Sequence, residues 1–373
     1  MGKEMKKMIA LVMCLTLCLA AVPVYAGETE ETAESLMEQA ETLYAAEDYR
    51  GAAELIEKAA ETGDARAQCA LGDCYAYGAG FGQDDQKAAE YYTLSAGQGY
   101  APAQAALGSL YLSGLGVEAD PETALKYFRL SADQNDPVGQ YYTGYCYDAG
   151  IAVEPDPAKA LEYYRLSADQ GLPDAQYRLG VMYQTGSGAE QDYDQAFRYY
   201  SLAAAQNYPE ALTAMGFFHG QGLGTAQNTD EMLKYYRMAA DMGEPMAQFN
   251  LGCCYRDGTG VEVNYEEMLK YFRLAVDQGN ANAQFNLGFC YYIGQGVEQD
   301  YDEAFRLYQL AADQGFPVAI FAVGDCYYTG NGVEKDPGAA AEWYQKSLDA
   351  GYEPDETDQA HMNEVFGRDS SNP

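Results

Sequence analysis

The sequence predicts an all-α chain: eight 36-residue helix-turn-helix units stacked into an α/α solenoid, with a helical cap at each end. Three observations carry this. A glycine recurs at Gly72, Gly108, Gly144, Gly180, Gly216, Gly252, Gly288 and Gly324, each 36 residues after the last and with no insertion. A fixed period of that size marks stacked supersecondary units and not a globular core. Within each period, two stretches space their apolar residues as helices do, and each stretch is bounded by residues that start and stop helices. A length of 373 residues would by itself allow two or three globular domains; the unbroken period overrides that.

Residues 1–26 read as an export signal. Lys3, Lys6 and Lys7 precede an apolar run from Met8 to Ala21, and Val24-Tyr25-Ala26 offers small residues at the two positions a signal peptidase reads. The run falls short of the ~20 apolar residues of a membrane span. Leu17 before Cys18, with three apolar residues after it, disfavours a lipoprotein anchor. The expected product is secreted or extracytoplasmic and keeps no stable membrane anchor after cleavage.

Residues 27–63 form the first cap. Asp48 to Gly63 follows the second helix of the repeat in register, with Ala52, Ala59 and Ala60 placed 36 residues before Ala88, Ser95 and Ala96. The helix before it, about Thr32 to Ala46, is rich in glutamate and lacks the repeat signature, as an end unit facing water should.

Residues 64–351 hold the repeats. The first helix reads A-x-x-x-L-G-x-x-Y-x-x-G, as in Ala283, Leu287, Gly288, Tyr291 and Gly294. Residues four apart share a helical face, and the last glycine suits a left-handed helix end. The second helix opens on Asp84, Asp120, Asp156, Asp192, Asn228, Asn264, Asp300 or Asp336, side chains that accept from free N–H groups. It closes on Gly or Asn in every repeat. A glycine inside the first helix costs about 1 kcal/mol. Its expected return is close approach of small residues such as Ala88, Ala124 and Ala160 on the second helix. Met232 and Met268 interrupt that series, which predicts wider spacing in repeats five and six. Residues 352–373 supply a last cap helix, Asp355 to Phe366, and a polar tail expected to be disordered.

The pattern A-x-x-x-L-G-x-x-Y-x-x-G-x-G-V, then D, then A-x-x-Y-Y-x-x-A-A-x-x-G, resembles the Sel1-like repeat, a relative of the tetratricopeptide repeat, from roughly Asp64 to Gly351. Ala152, His219, Thr143, Thr225 and Ala189 are the departures. The resemblance implies a right-handed α/α solenoid that works as a scaffold or adaptor for proteins, with no catalytic residue and no cofactor. Some members carry disulfides from a second cysteine near the end of the second helix. That region here reads Ala-Ala-Asp or Ser-Ala-Asp.

Composition narrows the function. The chain has 22 basic and 57 acidic residues, net −35. Such a surface repels nucleic acid and anionic lipid; it is open to a basic partner or to calcium, and otherwise reads as the solvated surface of a secreted chain with many helix-capping aspartates. Five of the seven cysteines after the signal (Cys74, Cys146, Cys254, Cys290 and Cys326) share one repeat position with Leu110, Met182 and Phe218, so the site is core and its thiols are free. Equivalent helices packed ~8–10 Å apart are too far for a disulfide, which needs Cα atoms within ~7 Å. Free thiols point to a reducing or oxygen-poor habitat. With two histidines and no CxxC there is no zinc pattern, and His219 replaces a repeat tyrosine as a packing substitution.

The recognition surface is expected where repeats differ. Counted from the repeat glycine, positions −3, +1 and +4 of the first helix form one stripe, which the tetratricopeptide likeness places on the concave side. From repeat three onward it is aromatic, and the candidate partner-binding residues are Tyr141, Tyr145, Tyr177, Phe217, Phe249, Arg256, Phe285, Phe289, Tyr292, Phe321 and Tyr328. Aromatic residues are favoured anchors of binding grooves. The competing reading for position −3 is packing within the stack. A groove for protein or peptide segments is the expected function. A carbohydrate or cell-wall binding module would also use aromatic rows, and a secreted cell-wall enzyme would need a site that no motif supplies.

Overall fold

A computed structural model of the chain describes residues 32–367. The export-signal segment 1–26 and the tail beyond 367 lie outside the described residues. Nineteen helices and no strand occur among them. None of these helices is long and apolar enough to cross a membrane. The chain divides into two units at Tyr208, each described by itself.

Unit one opens with α1 (Ala33–Ala45) and α2 (Tyr49–Glu61). Repeats one to four follow as α3 (Ala65–Tyr77) with α4 (Asp85–Gly97), α5 (Ala101–Ser113) with α6 (Pro121–Ala132), α7 (Pro137–Ala149) with α8 (Pro157–Asp169), and α9 (Pro173–Thr185) with α10 (Tyr193–Ala204). Unit two holds repeats five to eight: α11 (Pro209–Gln221) with α12 (Thr229–Asp241), α13 (Pro245–Asp257) with α14 (Tyr265–Asp277), α15 (Ala281–Ile293) with α16 (Tyr301–Ala312), and α17 (Pro317–Thr329) with α18 (Pro337–Asp349). It closes with α19 (Glu356–Phe366). Within each unit, every first helix packs on its own second helix, and that second helix packs on the first helix of the next repeat. This is the α/α-solenoid arrangement.

The helix ends are made as the residues dictate. Asp120 accepts from the Thr123 N–H at 3.0 Å and Asp156 from the Lys159 N–H at 3.1 Å. The second helices end in left-handed backbone, which Gly adopts freely and Asn135 (φ 64°) and Asn207 (φ 58°) tolerate. Asp355 and Asp358 form a capping box on α19.

The glycine inside each first helix answers to the close approach of the second helix, as expected, but chiefly to a ring on it. A Cβ at Gly180 would lie 2.5 Å from the ring of Tyr200, and one at Gly252 would lie 2.6 Å from Phe272. The aromatic residue at +20 of the second helix, more than the small residue at +16, requires the missing side chain. Nor do repeats five and six stand apart. The carbonyl of Met232 comes 3.2 Å from a Cβ on Gly216, the distance seen for Ala160 in repeat three, and that of Met268 comes 3.4 Å from one on Gly252. In repeat five the extra bulk goes sideways, because the Met232 sulfur fills the space where Gly220 has no side chain.

Tyrosines at +3 and +19 stack within a repeat, as Tyr147 does on Tyr163 (5.9 Å) and Tyr183 on Tyr199 (5.7 Å). Arg129 and Arg165 then donate to the hydroxyls of Tyr147 and Tyr183 in the following repeats, both at 2.7 Å. His219 takes the tyrosine's place by stacking on Tyr235 at 5.5 Å. In repeat eight, position +19 is Trp343, under the Lys346 ammonium at 4.4 Å.

Candidate interaction surface

Position −3 of the stripe belongs largely to the stack. Tyr141, Tyr177, Phe249 and Phe285 are half-buried, each against the +20 ring of its own repeat: Tyr164 at 5.6 Å, Tyr200 at 5.6 Å, Phe272 at 5.8 Å and Tyr308 at 5.5 Å. Tyr177 and Phe285 are also flanked by Tyr208 and Phe316. Phe321 is a correction to the sequence reading. It is only 5% exposed, clasped between Tyr344 at 5.1 Å and Tyr352 at 4.8 Å, and offers a partner nothing.

Positions +1 and +4 divide between exposed rings and internal fasteners. Phe217 and Phe289 are 40% and 44% exposed. Tyr145 is half-buried, with the Arg178 guanidinium 6.0 Å from its ring centre. Arg256 is held by both oxygens of Asp257 (2.7 and 3.0 Å) and donates to Asn286 at 2.7 Å, tying α13 to α15. Tyr292 accepts from Asn331 at 2.9 Å and meets Tyr301 edge-on at 5.2 Å. Tyr328 is taken up by α19: its ring lies 4.9 Å from His361 and its hydroxyl donates to Glu364.

Much of the polar variation in the stripe answers to position +20. Where that residue is tyrosine, its buried ring often reaches a stripe residue from within the stack and its hydroxyl meets an acceptor there. Tyr92 donates to Asp73 (2.7 Å), Tyr200 to Gln184 (2.6 Å), Tyr344 to Asp325 (2.6 Å) and Tyr164, more loosely, to Asp148 (3.4 Å). Repeats two and six carry Phe128 and Phe272 instead, and their stripes read Ser109 with Leu112 and Cys253 with Arg256, without carboxylate or amide. Sequence reasoning missed this link, although both halves of it lie in the repeats themselves.

Six of the seven described cysteines are buried. Cys253, half-buried in the stripe, has its thiol pushed up by burial to about 12, which leaves it protonated at neutral pH and a poor nucleophile. Asp325 pairs with His361 at 3.2 Å and with the Tyr344 hydroxyl, and this fastens α19 to repeat eight. Burial, the largest influence on Asp325, raises its carboxyl above the usual range. Among the described residues, no group of three or more His, Cys, Asp or Glu is placed to hold a metal ion.

The model of the Sel1 repeat matches this chain eight times in succession, at residues 65–100, 101–136, 137–172, 173–208, 209–244, 245–280, 281–316 and 317–352. The chain belongs to the Sel1 repeat family. Among solved structures, it is similar to a protective antigen present in uropathogenic Escherichia coli strains that displays an SLR fold. The two are 32% identical, with a TM-score of 0.62, over 85% of this chain and 67% of that one. It is also similar to a Sel1 repeat protein from Oxalobacter formigenes, 30% identical with a TM-score of 0.60, over 67% of this chain and 99% of that one. No curated protein matches the chain. Sel1 repeat proteins are in general scaffolds for protein interaction.

Proposed function

We propose that this Sel1 repeat protein is exported and serves outside the cytoplasm, without catalysis, as a scaffold that holds protein or peptide segments on its first-helix stripe. One contrast carries the reading. On α15, Leu287 and Gly288 are buried in the stack, while Phe289, the next residue, stands 44% exposed. On α11, Phe217 stands 40% exposed beside buried Gly216 and Phe218. Large rings left in water on an otherwise buried framework suit the anchors of an interface. The partner that fits is a polypeptide with apolar anchors and a basic balance, since the chain carries net −35.

The test is capture of partners from the producing culture by crosslinking, followed by measured affinity of the captured polypeptide. Truncation of a central anchor typically costs ≥ ~2 kcal/mol, so Phe289→Ala and Phe217→Ala should each weaken binding about thirtyfold and leave helicity unchanged. Undiminished binding by both variants places the recognition surface elsewhere. Export is read separately from the N-terminus of the mature protein, expected at Gly27.

A further inference from the structure

The second helices of unit one carry a leucine at the position farthest from the core. Leu94, Leu130, Leu166 and Leu202 each stand 22 residues after their repeat glycines and are 53%, 40%, 49% and 42% exposed. The buried side of these helices runs through positions +16, +17, +20, +23 and +24, as in Ala124, Leu125, Phe128, Ser131 and Ala132. With 3.6 residues per turn, position +22 points the opposite way. A large apolar side chain there leaves about half of its surface in water. Because every repeat of the unit packs in the same register, the four leucines form one row along its outer face.

The charges around that row are balanced, unlike those of the chain. The four second helices α4, α6, α8 and α10 carry six acidic and six basic residues within a chain of net −35. The corresponding helices of unit two carry ten acidic and six basic residues, and only Leu274 and Leu310 repeat the leucine. One turn before each leucine of unit one stands an exposed charge, and these alternate in sign: Glu90, Lys126, Glu162, Arg198.

We propose that this face pairs with the same face of a second copy of the chain, about a two-fold axis parallel to the second helices and midway between repeats two and three. That operation reverses the order of the row. Glu90 then meets Arg198 of the second copy, and Lys126 meets Glu162 of the second copy. All four pairs at position +18 are opposite in sign, and the leucines interleave between them. The contact is isologous and closes on two copies. Local neutrality is what such a contact needs, since a face sharing the charge of the whole chain would repel its copy. The pairing uses the outer face, so it neither requires nor blocks a partner on the first-helix stripe.

The test is the mass of the mature full-length chain in solution by sedimentation equilibrium. A dimer is expected. Leu130→Glu with Leu166→Glu should give a monomer of unchanged helicity. Lys126→Glu sets Glu against Glu at two symmetric places and should weaken dimerisation by about tenfold or more; adding Glu162→Lys should restore it. If the leucine double variant fails to fold, the charge reversal and its rescue decide alone. A wild-type chain that stays monomeric, a dimer indifferent to the leucine changes, or a Lys126→Glu defect that Glu162→Lys fails to rescue overturns the proposal.

Discussion

Repeats four and five share a framework and treat one buried position in opposite ways. In repeat four, Gln176 is 5% exposed, accepts from the Gln206 amide at 2.9 Å and donates to the Ala168 carbonyl at 3.2 Å. In repeat five the same two places hold Leu212, fully buried, and Met242. The choice is made jointly throughout the chain. Glutamines occupy both positions in Gln68/Gln98, Gln104/Gln134, Gln140/Gln170, Gln248/Gln278 and Gln284/Gln314, each pair bonded at 2.7–2.9 Å. Both are apolar again in Ile320/Ala350 of repeat eight. The unit of information here is the pair. A buried amide left without its partner costs about 1–3 kcal/mol, whereas exchanging both partners for apolar groups of similar shape is nearly neutral.

The largest expected effect sets the scale for that comparison. Leu179, fully buried and three residues after Gln176 on α9, should lose ~2–5 kcal/mol of stability on change to Ala, read from the urea midpoint. Next comes the pair itself. Gln206→Met alone strands the buried Gln176 oxygen and should cost about 1–3 kcal/mol. Gln176→Leu with Gln206→Met, which transplants the solution of repeat five, should recover most of the loss. A double variant no better than the single would mean the two positions are independent.

The smallest effect asks whether the same logic extends to a half-buried charge. Asp325 accepts from Tyr344, and burial raises its carboxyl. A raised carboxyl binds its proton more tightly in the folded than in the unfolded state, so its contribution to stability is full at low pH and declines as pH rises through the raised value. Asp325→Asn keeps an acceptor and removes the half-buried charge. At pH 7 it should be equal to the wild type or more stable, by less than about 1 kcal/mol, and the advantage should vanish on acidification. A large loss at pH 7 would show that the charge on Asp325, through His361, holds α19 in place.

The sequence made most of the fold legible and little of the surface, for physical reasons. Asp120, Asp156, Asn135 and Asn207 act through their immediate backbone neighbours, so helix boundaries follow from local chemistry. Which side of the first helix faces water depends on a ring 23 residues further on. Phe285 and Phe289 lie one turn apart on the same helix, yet Phe285 is half-covered by Tyr308 and Phe316 while Phe289 is exposed. Spacing within one helix carries no term for the rotation between two. The membership of Phe321 in the stripe failed for the same reason, since Tyr352 at the end of the last repeat and α19 beyond it cover it.

Trp343 has a use outside the fold. The chain has 35 tyrosines and one tryptophan, and that indole sits in the last repeat with Lys346 against its face. Light absorbed at the red edge of the aromatic band, where tyrosine is silent, therefore excites a single spectroscopic address. Its emission follows repeat eight alone, while far-ultraviolet circular dichroism sums all nineteen described helices. In an array whose parts can open separately, the gap between those two unfolding curves measures directly how early the C-terminal end lets go.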